Sequence, residues 1–334
     1  MLRGLSAAHV SHPLARPFRI ARGARTSTEV VVATIRQGAA SGRGEALPYA
    51  RYGESVDGVV EEMAALAAAL HAGVDRTVLQ TLLAPGAARN AVDCALWDLE
   101  ARLAGRSVAA LLGQDEALPP LATAQTIGID TPERMASEAD ALSGLPLVKV
   151  KVDADDPATR IRAVREALPQ AKMIVDPNES WTLAQLAALQ PLLADCRVDL
   201  VEQPLPARED GALHGFQPLV PLCADESCHV AADLPRLRGA YQYVNIKLDK
   251  SGGLTAALDL LDAARAQGFG IMVGCMVSSS LAIAPAWHVA RHAQFVDLDG
   301  PLWLRDDHPG GARMRDGLLH PPVGALWGDG GMAA

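Results

Sequence analysis

Three carboxylates stand at nearly equal intervals along this chain, each at the end of an apolar run: Asp176 in KMIVDPN, Glu202 in VDLVEQP and Asp225 in PLCADES. The intervals are 26 and 23 residues. Two lysines extend the rhythm. Lys151 closes LVKVKVD 25 residues before Asp176, and Lys247 closes YVNIKLD 22 residues after Asp225. Short apolar runs bounded by turn residues read as buried strands. An eight-fold β/α barrel spends roughly 30 residues on each strand–helix unit and gathers its chemistry at the C-terminal strand ends. The rhythm therefore predicts that these five side chains meet at one barrel mouth.

From about residue 121, strand-like and helix-like segments alternate. Eight strands are expected at 121–126, 147–151, 173–176, 199–202, 221–225, 243–247, 269–274 and 295–299. Thr131-Pro132 and Asp156-Pro157 each set a capping side chain before a proline at the first helical position. Further helices are expected at 183–193, 231–237, 254–267 and 279–292. Short connections between such elements imply parallel strands with right-handed crossovers. The start of the chain reads differently: strands at 28–36 and 42–47, then helices at 56–70 and 87–103. Strands followed by helices suggest a small α+β domain. The expected α/β organisation is thus a capping domain over 1–118, completed by the Gly/Pro-rich segment 303–334, and a barrel over 119–302.

Composition narrows the function. A hydrophobic content of 49% and a charged content of 21% support a sizeable core, and exclude wholesale disorder. A net charge of −9 argues against nucleic acid as a partner, because phosphates would be repelled. The longest apolar stretch, 271–290, is interrupted by three serines, Pro285 and His288, so no membrane span is expected. The N-terminus lacks the apolar run of a secretion signal. The five cysteines form no CxxC pair and read as buried thiols of a cytoplasmic protein. A homo-oligomer is compatible with all of this.

The chemistry follows from residue types. A lone Asp at a strand end usually caps a helix, but three acids in one mouth repel each other unless a cation holds them. All-oxygen ligation by Asp176, Glu202 and Asp225 favours Mg2+ over softer metals. Asn178 and Glu226 read as partners of those ligands or as ordinary loop polarity. Lys149 and Lys151 share one strand face by the period of two, and burial against helices would waste them, so they point inward. Strands 2 and 6 of an eight-strand ring are diametrically opposed. Lys151 and Lys247 would then approach a bound molecule from opposite faces, as inversion at a carbon acid requires. A neighbouring lysine and a nearby Mg2+ would lower a lysine's pKa toward a useful base. Asp297 and Asp299 in VDLDGP also share a face; they read either as salt-bridged barrel residues or as a clamp for a cationic substrate group. Arg19, Arg22 and Arg25 surround Gly23 in a basic segment that reads as a lid over an anion, or as solvated surface.

The set KxK, D-x-N, E-Q-P, A-D-E-S and N-I-K-L-D-K resembles the enolase superfamily, and within it the muconate lactonizing enzyme subgroup. The DLDGP element resembles the dipeptide epimerases of that subgroup. ARGARTSTEVVV, PYARYGES, GAARNAVDCALWDLEA, DPNESW and VNIKLDKSGGLT extend the likeness over about residues 1–320. The resemblance implies a modified TIM barrel, (β/α)7β, under a capping domain. It implies Mg2+ on Asp176, Glu202 and Asp225, with Lys151 and Lys247 as the acid–base pair and Lys149 on the substrate carboxylate. It implies a dipeptide substrate whose ammonium meets Asp297 and Asp299, and whose glutamate side chain meets Arg25. Thr126, Tyr52, Cys275 and Met276 fall where pocket contacts are expected. Pro177 departs from the family pattern, in which a small residue is commoner after the first metal ligand. The activity implied is 1,1-proton transfer at the α-carbon of the C-terminal residue, most simply on L-Ala-D/L-Glu in murein peptide metabolism. Dipeptide epimerases of other specificity remain alternatives, as do o-succinylbenzoate synthase and N-succinyl amino acid racemase, neither of which needs an ammonium clamp.

Overall fold

A computed structural model describes residues 2–20, 23–323 and 325–330. Arg22 and part of the expected tail lie outside them. The chain begins with two long antiparallel strands, β1 (Arg3–Ile20) and β2 (Gly23–Gln37), followed by β3 (Ala40–Ala46). β2 and β3 are the strands expected from 28–36 and 42–47, and β2 is the longer for its pairing with β1. β1 itself was not legible. Its polar and apolar residues alternate imperfectly, interrupted by Pro13 and Pro17, and most of it is at least partly exposed, as suits an edge strand. Arg19 and Arg25 therefore lie on paired strands of a β-hairpin, with Phe18 opposite Arg25.

Five α-helices follow among the described residues: α1 (Val56–Ala65), α2 (Ala67–His71), α3 (Arg76–Leu82), α4 (Ala87–Ala104) and the single turn α5 (Val108–Leu111). α4 is buried along most of its length, wedged between the three-stranded sheet and the barrel. Its barrel-facing side explains the glycine pair after DKS. Gly252 and Gly253 have φ of 80° and 109°, and a Cβ at either would lie 2.3 Å from Arg89 Nε or 2.5 Å from Asp93 Cβ. Arg89 and Asp93 use that close approach to bind Ser251 O and Thr255 N. The last described residues return to the same helix, where Trp327 Nε1 donates to Cys94 O and Gly328 N to Asp98.

The barrel has eight parallel strands in chain order: β4 (Gln125–Ile127), β5 (Leu147–Lys151), β6 (Lys172–Asp176), β7 (Leu200–Glu202), β8 (Leu222–Ala224), β9 (Tyr243–Ile246), β10 (Gly270–Gly274) and β11 (Phe295–Asp297). The ring closes where Thr123 bridges Val296 and Ala124 N donates to Val296 O at 2.7 Å. Alternation sorts each strand. On β5, Val148 and Val150 join the core shared with the outer helices. Leu147 faces inward onto a separate plug with Ala124, Ile174, Leu200, Cys223, Met272 and Phe295. Lys149 and Lys151 continue that inward face toward the mouth. Three helical expectations change. The segment 56–70 is two helices, α1 and α2, separated at Leu66. The segment 279–292 is two short helices, Ser280–Ile283 and Trp287–Ala290, because Pro285 has no N–H to continue the ladder. The segment 231–237 is a 3-10 turn followed by a single helical turn, Leu234–Leu237. Among the described residues no helix is long and apolar enough to cross a membrane.

Candidate active site

The C-terminal strand ends and the hairpin of the capping sheet enclose one cleft of about 620 Å3, including its open mouth, a size suited to a small molecule. Arg25, Tyr52, Thr126, Lys149, Lys151, Asp225, Lys247, Cys275, Met276, Asp297 and Asp299 all line it. Asp176 and Glu202 are fully buried and lie behind the lysines rather than on the cleft wall. β5 and β9 are separated by three strands on either side of the ring, so Lys151 and Lys247 enter from opposite walls.

The acids and lysines form one charge network. Lys149 Nζ lies 3.0 Å from Asp176 Oδ2, 2.7 Å from Glu202 Oε2 and 2.8 Å from Asp297 Oδ2. Lys151 pairs with Asp176 at 2.5 Å and Lys247 with Asp225 at 2.7 Å. Burial disfavours every one of these charges, and partners decide the outcome. Lys151 and Lys149 outweigh burial at Asp176, and Lys247 and Lys250 outweigh it at Asp225, so both carboxyls sit well below the usual range. At Glu202, burial and the neighbouring Asp176 win, and its carboxyl is pushed up to about 7. Burial pulls Lys149 and Lys247 down, but Asp297 beside the first and Asp225 beside the second lift both upward. The carboxylates around each ammonium outnumber the neighbouring lysines, whereas the lowering expected from sequence counted a bound Mg2+ as well. Asp299 is raised to about 6 by burial and by Asp297.

Three carboxylates on successive strands supply the hard oxygen donors that Mg2+ prefers. The space between them already accommodates a positive charge, since the Lys149 ammonium touches two of them. Among the described residues, however, no three acidic, imidazole or thiol groups are gathered around one point as an ion would need. Ammonium groups lie against their oxygens instead. The donor set suits a divalent ion in chemistry, and ligation would require the three carboxylates to converge as the ammonium groups turn toward the cleft.

Several contributors were not anticipated as such. Asn245 Nδ2 donates to Glu202 Oε1 at 2.9 Å. Lys250 Nζ donates to Asp225 Oδ1 at 2.7 Å and to Asn245 O at 2.9 Å. Gln203 Oε1 accepts from the Asp225 and Ser227 backbone. Asn178 N and Nδ2 donate to Asp176, as one of its two readings anticipated. The spacing Asn245-x-Lys247-x-x-Lys250 was visible in NIKLDK, but only the strand-to-helix turn after Lys247 aims Lys250 at Asp225. Polar contacts tie the cap to the mouth. Thr28 Oγ1 donates to Val277 O, Glu45 accepts from Ser279, and Arg51 forms a two-pronged ion pair with Glu179 at 2.8 Å.

A capped barrel with acids and lysines at its mouth defines an enolase-type enzyme scaffold, and comparison with known proteins agrees. Residues 3–113 match the mandelate racemase / muconate lactonizing enzyme N-terminal domain, and residues 134–325 match the enolase C-terminal domain-like family. The chain belongs to the mandelate racemase / muconate lactonizing enzyme family of the enolase superfamily. It is 48% identical to L-Ala-D/L-Glu epimerase of Escherichia coli K12, over 92% of this chain and 96% of that one. It is 44% identical to N-acetyl-D-glutamate racemase of a Pseudoalteromonas species, over 90% and 95% of the two chains. An enolase family member from Agrobacterium tumefaciens with homology to dipeptide epimerases, solved with sodium and L-Ala-L-Glu, superposes with a TM-score of 0.94 at 46% identity, covering 98% of this chain and 100% of that one. A dipeptide epimerase from Cytophaga hutchinsonii, solved with Mg and D-Ala-L-Val, gives 0.90 at 27% identity, covering 98% and 95%.

Proposed function

We propose that this protein is a Mg2+-dependent dipeptide epimerase acting on L-Ala-D/L-Glu. The observation that carries the reading is the placement of Lys151 and Lys247 on opposite walls of one cleft, each beside a carboxylate of the buried trio. Asp176, Glu202 and Asp225 would hold the ion, which neutralises the substrate carboxylate when bound. Charge on Asp225 that now lifts Lys247 would then be shared, and Lys151 and Lys247 freed toward the cleft. One lysine, neutral, removes the α-proton of the C-terminal residue. The other, as an ammonium, delivers a proton to the opposite face of the planar enediolate, and the configuration inverts. Lys149 stays charged and stabilises the negative charge that grows on the substrate carboxylate. Asp297 and Asp299 bind the dipeptide ammonium, and Arg25 binds the glutamate side-chain carboxylate. The five free cysteines suit a reducing compartment such as the cytoplasm.

A second reading is racemisation of an N-acyl glutamate. It is favoured by the relative that is 44% identical and by Asp297, whose Oδ2 is already paired with Lys149. It uses the same proton chemistry and the same Arg25. The test is α-deuterium incorporation in heavy water across a library of dipeptides and N-acyl amino acids with Mg2+ present. Exchange and epimerisation of L-Ala-L-Glu and L-Ala-D-Glu are expected. Exchange confined to N-acylglutamates would favour the second reading, and no exchange in either class would overturn both.

A further inference from the structure

We infer that Trp303 is a positioning residue that joins the seating of the β1–β2 hairpin to recognition of the substrate ammonium by Asp299. The inference rests on the dipeptide reading above, in which Asp299 helps to bind that ammonium. Trp303 is buried, and it holds two partners at once. Its Nε1 donates to Asp299 Oδ2 at 3.1 Å, and the same oxygen accepts from Thr126 N at 2.8 Å. Its ring meets Phe18 edge to face, with centroids 4.6 Å apart at 73°. Phe18 is the cross-strand partner of Arg25. One indole thus stands between the acid proposed for one end of the substrate and the strand pair that presents the arginine proposed for the other.

The hairpin is built around this contact. The pairing of β1 with β2 is interrupted between Pro13 and Phe18. Within the interruption, β1 turns to the segment carrying Trp303: Leu14 bridges Leu304, and Arg305 N donates to Pro13 O at 2.9 Å. The Arg16 guanidinium lies 4.4 Å from the Trp303 ring centroid, and its own charge is met by Glu138 at 2.8 Å. Leu14, Phe18, Val277, Trp303 and Leu304 make a small apolar cluster separate from both large cores. Among the described residues its members come from the hairpin, the loop after β10 and the segment after β11. Two N–H donors on Oδ2 fix the plane of the Asp299 carboxylate. One is backbone, anchored by β4. The other depends on an indole whose far face is packed by the hairpin.

The test compares two ligands in the Mg2+-loaded enzyme. L-Ala-L-Glu carries the ammonium; propionyl-L-Glu has the same skeleton without it. KM and kcat are measured for the dipeptide, and Ki for propionyl-L-Glu as its competitor, in the wild type and in Trp303→Phe. Phenylalanine keeps an aromatic face for Phe18 but cannot donate to Asp299. The expected result is a KM raised about tenfold, the scale of one lost hydrogen bond to a charged group, with kcat and the propionyl-L-Glu Ki unchanged. A parallel rise in KM and Ki, or no change in either, would show that the indole only fills space and would overturn the inference. If KM and Ki are equal in the wild type, the ammonium reading of Asp297 and Asp299 fails instead, whatever Trp303 does. Should Trp303→Phe not fold, Trp303→benzothienylalanine removes only the N–H, and the same two constants decide the question.

Discussion

Nζ of Lys247 lies 2.7 Å from Oδ2 of Asp225. Across the ring Lys151 stands in the same relation to Asp176, so each proposed base is in contact with a proposed ligand. In Lys247→Ala, epimerisation of L-Ala-L-Glu should fall by at least about 100-fold, the lower end of what one acid–base group contributes. Lys151 would still exchange the α-proton of one diastereomer with heavy water. Proton NMR reads both quantities, and the diastereomer that keeps exchanging identifies the face served by Lys151. Undiminished interconversion of both diastereomers would end the two-base scheme. Mg2+ binding, followed by calorimetry, should persist, because Lys247 is not a ligand.

Ion removal gives a second expectation. Chelation should abolish turnover, and added Mg2+ should restore it. Since Asp176, Glu202 and Asp225 face one another in the folded chain only, Mg2+ should also stabilise the protein, by about 2.7 kcal/mol when present at 100 times its Kd. Glu202→Gln should remove most of that stabilisation. A melting temperature that ignores Mg2+ in the wild type would argue that these acids answer to the lysines alone.

The sequence exposed the barrel and its mouth because both obey short periods. A strand ends where an apolar run meets a turn residue, and a charged side chain there has few structural uses, so Asp176, Glu202, Asp225, Lys151 and Lys247 were visible together. Lys149 was visible because it alternates with valines. What sequence could not show depends on contacts between distant segments. β1 exists because β2 supplies its hydrogen bonds, and Trp303 matters because Phe18, 285 positions earlier in the chain, packs on its ring. The balance of charge around the lysines was out of reach for a related reason. It depends on how many carboxylates reach each ammonium, and distance rather than order decides that.

Specificity should follow Arg25. Among the described residues its guanidinium is unpaired, and it faces the cleft. Arg25→Leu should lower kcat/KM for L-Ala-L-Glu by about tenfold or more, the scale of one charge-assisted hydrogen bond, while dipeptides with an apolar C-terminal residue lose little or gain. Relatives named hydrophobic dipeptide epimerases exist at 32% and 30% identity, so this scaffold tolerates such a change of preference. An equal loss for all dipeptides would assign Arg25 to the hairpin's structure instead.

Glu45 gives the stability of the cap a pH dependence of definite sign. Its carboxylate is buried on β3 and accepts from Ser279 N and Oγ. Among the described residues, Arg43, Asp307, His308 and Asp249 are charged or titratable groups around it. Burial lifts its pKa from 4.5 to about 7, against the two Ser279 hydrogen bonds. Between those values the folded chain holds a proton that the unfolded chain has released. Stability from this group is therefore fully present below pH 4.5 and is lost as pH rises through 7, by up to about 3 kcal/mol. Glu45→Gln keeps a side chain able to bond Ser279 and cannot ionise. Denaturant unfolding of both proteins at pH 5 and pH 8 should show the variant gaining on the wild type at the higher pH. Buried acids remote from Glu45 titrate equally in both proteins and cancel in the difference; Asp249, which Glu45 helps to raise, keeps only its burial and its other neighbours in the variant. A gap that does not move with pH would mean that Glu45 keeps an ordinary pKa, and that water or His308 compensates its charge where it holds the loop of Met276 and Val277 against the cap.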